Sequence, residues 1–125
     1  MNFRFALATA LFAAAPLHAA VPLNVVDFLA KAEALERKGP MAMFSSDLKR
    51  LMGQVKADTG QIRQERLAAK AAGKPQAYCP PESGTSMTNR DILGAMRAVP
   101  AAERSTTSTR IALRQYLARR HPCSR

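Results

Sequence analysis

The chain contains two cysteines, Cys79 and Cys123, and whether they are joined decides more about what it can fold into than any other feature. The compartment settles that question, and the first twenty residues bear on it. Asn2, Phe3 and Arg4 form a short n-region with one positive charge, and Phe5 to Ala15 is an apolar run broken by no charge. Pro16, Leu17, His18, Ala19 and Ala20 follow as a helix-breaking segment with small residues where a signal peptidase cuts. The pattern predicts a signal peptide over 1–20, cleaved after Ala19 or Ala20, and export to the periplasm. A membrane anchor is the alternative, but the run is about half of the roughly 20 residues a spanning helix requires. No later segment is long and apolar enough to span, so a soluble mature chain is expected.

In an oxidising compartment two thiols in a small domain form a disulfide far more often than a metal pair or a nucleophile. A Cys79 to Cys123 bond closes a loop of about 45 residues, which the chain-entropy argument values at about 4 kcal/mol. Such a crosslink is useful here. The 125 residues suit a single domain, the hydrophobic fraction of 47% is rich in alanine, and there is no tryptophan. The core must therefore come from Leu, Ile, Val, Met and a few Phe and Tyr, and a core of that kind is thin.

Within residues 21–125, read as one helical domain, the periodicity predicts four helices. The first runs from about Asn24, a suitable N-cap, to Lys38, with Asp27 in its first turn and Gly39-Pro40 as its stop. Val25, Phe28, Leu29, Ala32 and Leu35 form its apolar face. The second is a long basic helix over about 46–72, capped by Ser45 or Ser46 and stopped by Gly73. Its packing stripe reads Leu48, Leu51, Met52, Val55, Thr59, Ile62, Arg66 and Ala69, and Gly60 is a weak point where it could split in two. The stripe turns polar past Ile62. That end either projects into solvent or packs on a second copy, which would make a homodimer. Pro75, Cys79, Pro80, Pro81, Ser83 and Gly84 mark a loop. Helix three opens at Thr88, where Asp91 completes a capping box; Ile92, Leu93, Met96 and Val99 face inward, and Pro100 is the stop. Helix four is capped by a hydroxyl in the run Ser105 to Thr109, buries Ile111, Ala112, Leu113, Tyr116 and Leu117, and ends at His121-Pro122. The expected fold is all-α: a four-helix small domain whose C-terminal helical hairpin, 79–123, is tied at its base by the disulfide.

No catalytic, cofactor-binding or metal constellation emerges. His121 is the only histidine past the leader, the carboxylates include no catalytic pair, and no Gly-rich phosphate loop is present. A non-enzyme without cofactors is expected. The charge is more informative. The formal balance is +10, and losing the leader removes only Arg4. In the cytoplasm that would point first to nucleic acid; an exported protein instead meets anionic lipid, cell-wall polymer or acidic protein surfaces. From Arg104 to Arg125 there are arginines at 104, 110, 114, 119, 120 and 125 and no acid. Arg104, Arg110, Arg114, Arg119 and Arg120 are thus candidate partner-binding residues for carboxylates or phosphates, which guanidinium forks suit. A plain solvated basic face is the alternative.

The segment Cys79-Pro80-Pro81, Asn89 to Leu93, Val99 to Arg104, Ala112-Leu113, Tyr116-Leu117 and Pro122-Cys123 resembles the C-terminal half of the Rap1a/Tai-type immunity proteins, small exported helical proteins with a C-P opening, a P-x-x-x-R turn and a terminal P-C. The resemblance implies a protein that binds and blocks a peptidoglycan-cleaving amidase effector delivered by type VI secretion. The first half departs from the family pattern: its usual additional cysteines and glycine-containing segment give way to the long basic helix. Two other readings stand beside it. One is a basic envelope-interaction protein that binds anionic lipopolysaccharide or cell-wall groups. The other is a small helical periplasmic chaperone of the acid-stress kind.

Overall fold

A computed structural model of the chain describes residues 22–124, so the leader, its cleavage site and Arg125 lie outside the described residues. The fold is all-helical, with a Cys79–Cys123 disulfide. Four α-helices, α1 (Val25–Lys38), α2 (Ser46–Ala71), α3 (Asn89–Arg97) and α4 (Thr109–Arg120), are joined by two 3-10 turns, Gly39–Phe44 and Ala101–Glu103, and by the long loop between α2 and α3.

The helix boundaries follow the local chemistry. Asn24 caps α1 by accepting a 2.8 Å hydrogen bond from the Asp27 amide. Ser45 caps α2 and Ser108 caps α4 in the same way. The box on α3 is complete, because the Thr88 hydroxyl accepts from the Asp91 amide while the Asp91 carboxylate accepts from the Thr88 amide. The end of α2 is a Schellman turn. Gly73 takes φ +65° there, its amide donates to the Lys70 carbonyl and the Lys74 amide to that of Ala69.

One core unites the four helices, with Val25, Phe28, Leu29 and Leu35 from α1, Leu51, Val55 and Ile62 from α2, Ile92, Ala95 and Met96 from α3, and Ala112, Leu113 and Leu117 from α4. Tyr78, from the loop, closes it near the disulfide. The N-terminus of α1 is stitched to the segment before α4: the Val25 amide donates to the Thr107 carbonyl at 2.9 Å and the Thr109 amide to the Leu23 carbonyl at 2.7 Å.

Two sequence expectations need correction, the packing stripe of α2 and the place of Ile111, and the open question of a break at Gly60 is answered. Helix α2 is continuous through Gly60, held on either side by buried Asp58 and Ile62. Its inward face is Leu51, Val55, Asp58 and Ile62. Met52 is 47% exposed and Thr59 is only partly covered, its hydroxyl turned back onto the Val55 carbonyl. Ile111, expected inside, is 42% exposed, because the adjacent Thr109 takes the buried place at the start of α4. The chain itself covers part of the polar end of α2: Arg66 lies 5.3 Å from the centre of the Tyr78 ring and donates to Gln76 Oε1 at 3.2 Å.

Candidate functional site

The structure disperses the five arginines singled out in the sequence and gives four of them partners within the chain. Arg104 curls back on its own turn, with Nε donating to the Val99 carbonyl at 2.9 Å and Nη2 to the Arg97 carbonyl at 3.0 Å. Arg110 Nε sits 3.3 Å from Asp58 Oδ1, and Arg114 Nη2 sits 2.5 Å from Glu65 Oε2. Both tie α4 to α2. Arg120 Nη1 reaches Asp91 Oδ1 at 3.0 Å and the Tyr116 hydroxyl at 2.7 Å, tying α4 to α3. Arg119 is exposed and makes no ion pair with the described residues.

Sequence reasoning missed Asp58. Its carboxylate is fully buried and accepts from the Thr109 hydroxyl at 2.5 Å, from Gln54 Nε2 at 3.1 Å and from Arg110 Nε at 3.3 Å. A buried carboxylate persists only where such donors replace water. The signal was its place in the sequence, three residues after Val55 and four before Ile62, in register with the apolar stripe. All its donors come from the chain, and the geometry reads as an interhelical clamp.

The second polar cluster is half-exposed. Tyr116 donates to Asp91 Oδ1 at 2.6 Å while the Thr88 amide and hydroxyl both donate to Oδ2 at 2.8 Å. The Tyr116 hydroxyl, then Thr88, then the Arg120 charge hold the Asp91 carboxyl well below its ordinary range, and the same contact with Asp91 raises the Tyr116 phenol. Because the folded carboxyl is the stronger acid, its contribution to stability is present above the ordinary value of 3.8 and is lost as pH falls below it. Asp91→Asn is therefore expected to lower the melting temperature at neutral pH and to flatten its decline below about pH 4. Thermal melts of both proteins by circular dichroism across that range check this; parallel curves would remove the role.

The surface that no part of the described chain covers lies elsewhere. On the 3-10 turn after α1, Met41, Met43 and Phe44 are 67%, 75% and 82% exposed, and Met52 and Leu67 on α2 are partly exposed. Two concavities flank α2. A smaller one of about 320 Å³ lies between α1, α2 and α3, with Phe28, Leu48 and Leu93 in its wall. A larger groove of about 840 Å³ runs between α2 and the loop around Pro80 to Met87. Met52, Val55 and Ile92 line both, so the two share a wall. Methionine side chains are flexible and polarisable, which suits them to surfaces that adapt to another molecule. Among the described residues no group of three His, Cys, Asp or Glu could hold a metal ion, and no helix is long and apolar enough to cross a membrane.

Fold and surface together define a small, disulfide-closed helical protein with internally satisfied polar clusters and an uncovered apolar and basic flank. Comparison with protein families, curated proteins and solved structures found no match for the chain.

Proposed function

We propose that this protein is a non-catalytic periplasmic binding protein of the immunity type, which occludes a toxin of the peptidoglycan-amidase kind delivered by type VI secretion. The observation that carries the reading is the exposed corner of Met41, Met43 and Phe44, on the turn whose Ala42 lines the smaller concavity, mounted on a scaffold whose buried acid is satisfied from within. Large apolar side chains gathered at one corner cost solubility unless they are covered in use. A crosslinked helical unit presents them with little ordering cost on binding. The resemblance of residues 79–123 to the immunity proteins points the same way.

The oxidised protein is expected to form a stable complex with an effector encoded nearby, one that survives high salt and stops peptidoglycan hydrolysis at stoichiometric amounts. Pull-down at low and high salt, followed by the hydrolysis assay, checks this. Loss of every partner at high salt would sink it. That outcome would favour a second reading, in which the exposed lysines and arginines of α2, among them Lys49, Arg50, Lys56, Arg63 and Lys70, hold anionic lipopolysaccharide or cell-wall groups through contacts that salt screens.

A further inference from the structure

We infer that the groove along α2, and not the arginine-rich α4, is the docking surface, and that its occupant is an acidic segment of a protein partner that also carries apolar side chains. The inference deepens the binding-protein reading and rests on it for the partner being a protein.

The groove follows α2 from Met52 to Lys70, a distance of about 27 Å along the axis. Lys56, Arg63, Arg66 and Lys70 line it, against a single acid, Glu82. Apolar surface lies between these cations, with Met52, Leu67 and Met87 in the lining. A matching ligand must offer carboxylates at the rim and apolar groups to the floor. Arg66 is held in the lining by the Tyr78 ring and by Gln76 Oε1, so its charge is positioned before a ligand arrives.

Gly60 lines the groove on an unbroken helix, and there, as at Gly53 on the same helix, a Cβ would meet nothing within 4 Å. Helix packing therefore does not require glycine at a position where alanine makes the more stable helix. A bare backbone in the groove wall does leave room for something to lie against it.

The competing occupants fit less well. A second copy would bring the same row of cations against itself. A bilayer is flat and receives protruding side chains, whereas this surface is concave between α2 and the Pro80 to Met87 loop. By contrast, the α4 arginines, apart from Arg119, are already engaged with carboxylates or carbonyls of the chain.

The test uses the oxidised protein as bait for random peptides displayed on phage, long enough to span the groove. Recovered sequences are expected to place Asp or Glu among Leu, Met and Phe. Arg63→Glu, which reverses a rim charge, and Gly60→Leu, which fills the wall, are each expected to weaken the best peptide about tenfold or more. Arg119→Glu should leave it unchanged. Gly60→Leu should keep or raise the melting temperature, so its lost binding would not reflect a lost fold. Recovered peptides without acids, or affinities indifferent to both groove variants, would overturn the assignment. So would a dimer of the protein alone that Met52→Glu dissociates, or binding to phosphatidylglycerol vesicles that the groove variants abolish while peptides are not selected. If a salt-resistant effector complex tolerates both groove variants, the surface is wrong and the binding-protein reading stands. If no such complex exists but acidic peptides still need the groove, that reading fails and the groove chemistry stands.

Discussion

Replacing both cysteines, Cys79→Ser with Cys123→Ser, is expected to destabilise the protein by about 4 kcal/mol. The bond spans 44 positions, and removing it returns to the unfolded chain the freedom of a loop of that size. For a domain of about 100 residues this corresponds to a fall in melting temperature of roughly 20 °C. The bond is well placed to matter. Cys79 precedes α3 and Cys123 follows α4, and beside the bond the Cys79 amide donates to the His121 carbonyl at 2.8 Å. The hairpin it closes contributes seven of the buried apolar residues, Ile92, Ala95, Met96, Val99, Ala112, Leu113 and Leu117. Thermal unfolding with and without reductant checks this, and equal midpoints would show that helix packing alone holds the hairpin.

The second large effect concerns the clamp between α2 and α4. Arg110→Ala removes the only cation that the described residues place on a carboxylate with no exposure to water, and breaking a buried pair in this way costs about 3 kcal/mol. The reciprocal change is expected to be milder. Arg110 keeps 26% of its side chain exposed, so in Asp58→Asn the guanidinium turns to solvent and the amide still accepts from Thr109, at about 1 to 2 kcal/mol. The asymmetry is the test. Chemical denaturation of the two variants should rank Arg110→Ala as the less stable, and the reverse order would mean that Thr109 and Gln54 hold the clamp without the Arg110 charge.

Much of the fold was readable from the sequence because caps and stops are local chemistry. Asn24, Ser45, Thr88 with Asp91, and Gly73 each act within a few residues of their own position, so the helix boundaries fell where their side chains allow. The disulfide was readable for another reason: a chain with two cysteines admits one intramolecular pairing. What could not be read depends on residues distant in the sequence. Asp58 lies buried because Thr109 and Arg110 meet it from 51 and 52 positions away, and a stripe read from spacing alone took Thr59 in its place. The α4 arginines looked like a free basic face because their carboxylates, Asp58, Glu65 and Asp91, sit on other helices. The candidate groove was hidden for the same reason, since its two walls come from α2 and from a proline-rich loop that sequence analysis could recognise only as irregular.

The stitch that holds Leu23 and Val25 against Thr107 and Thr109 has a consequence for how the molecule reaches its folded form. Neither this seam nor the sulfur crosslink can close until the far end of the polypeptide has arrived, because the seam joins the first helix to the segment before the last and the crosslink needs Cys123. A chain delivered from its amino end stays open while it is being delivered, and partial lengths have no finished state to fall into. Its folding is therefore expected to be slow for a helical protein of this size, governed by the search that brings its two ends together.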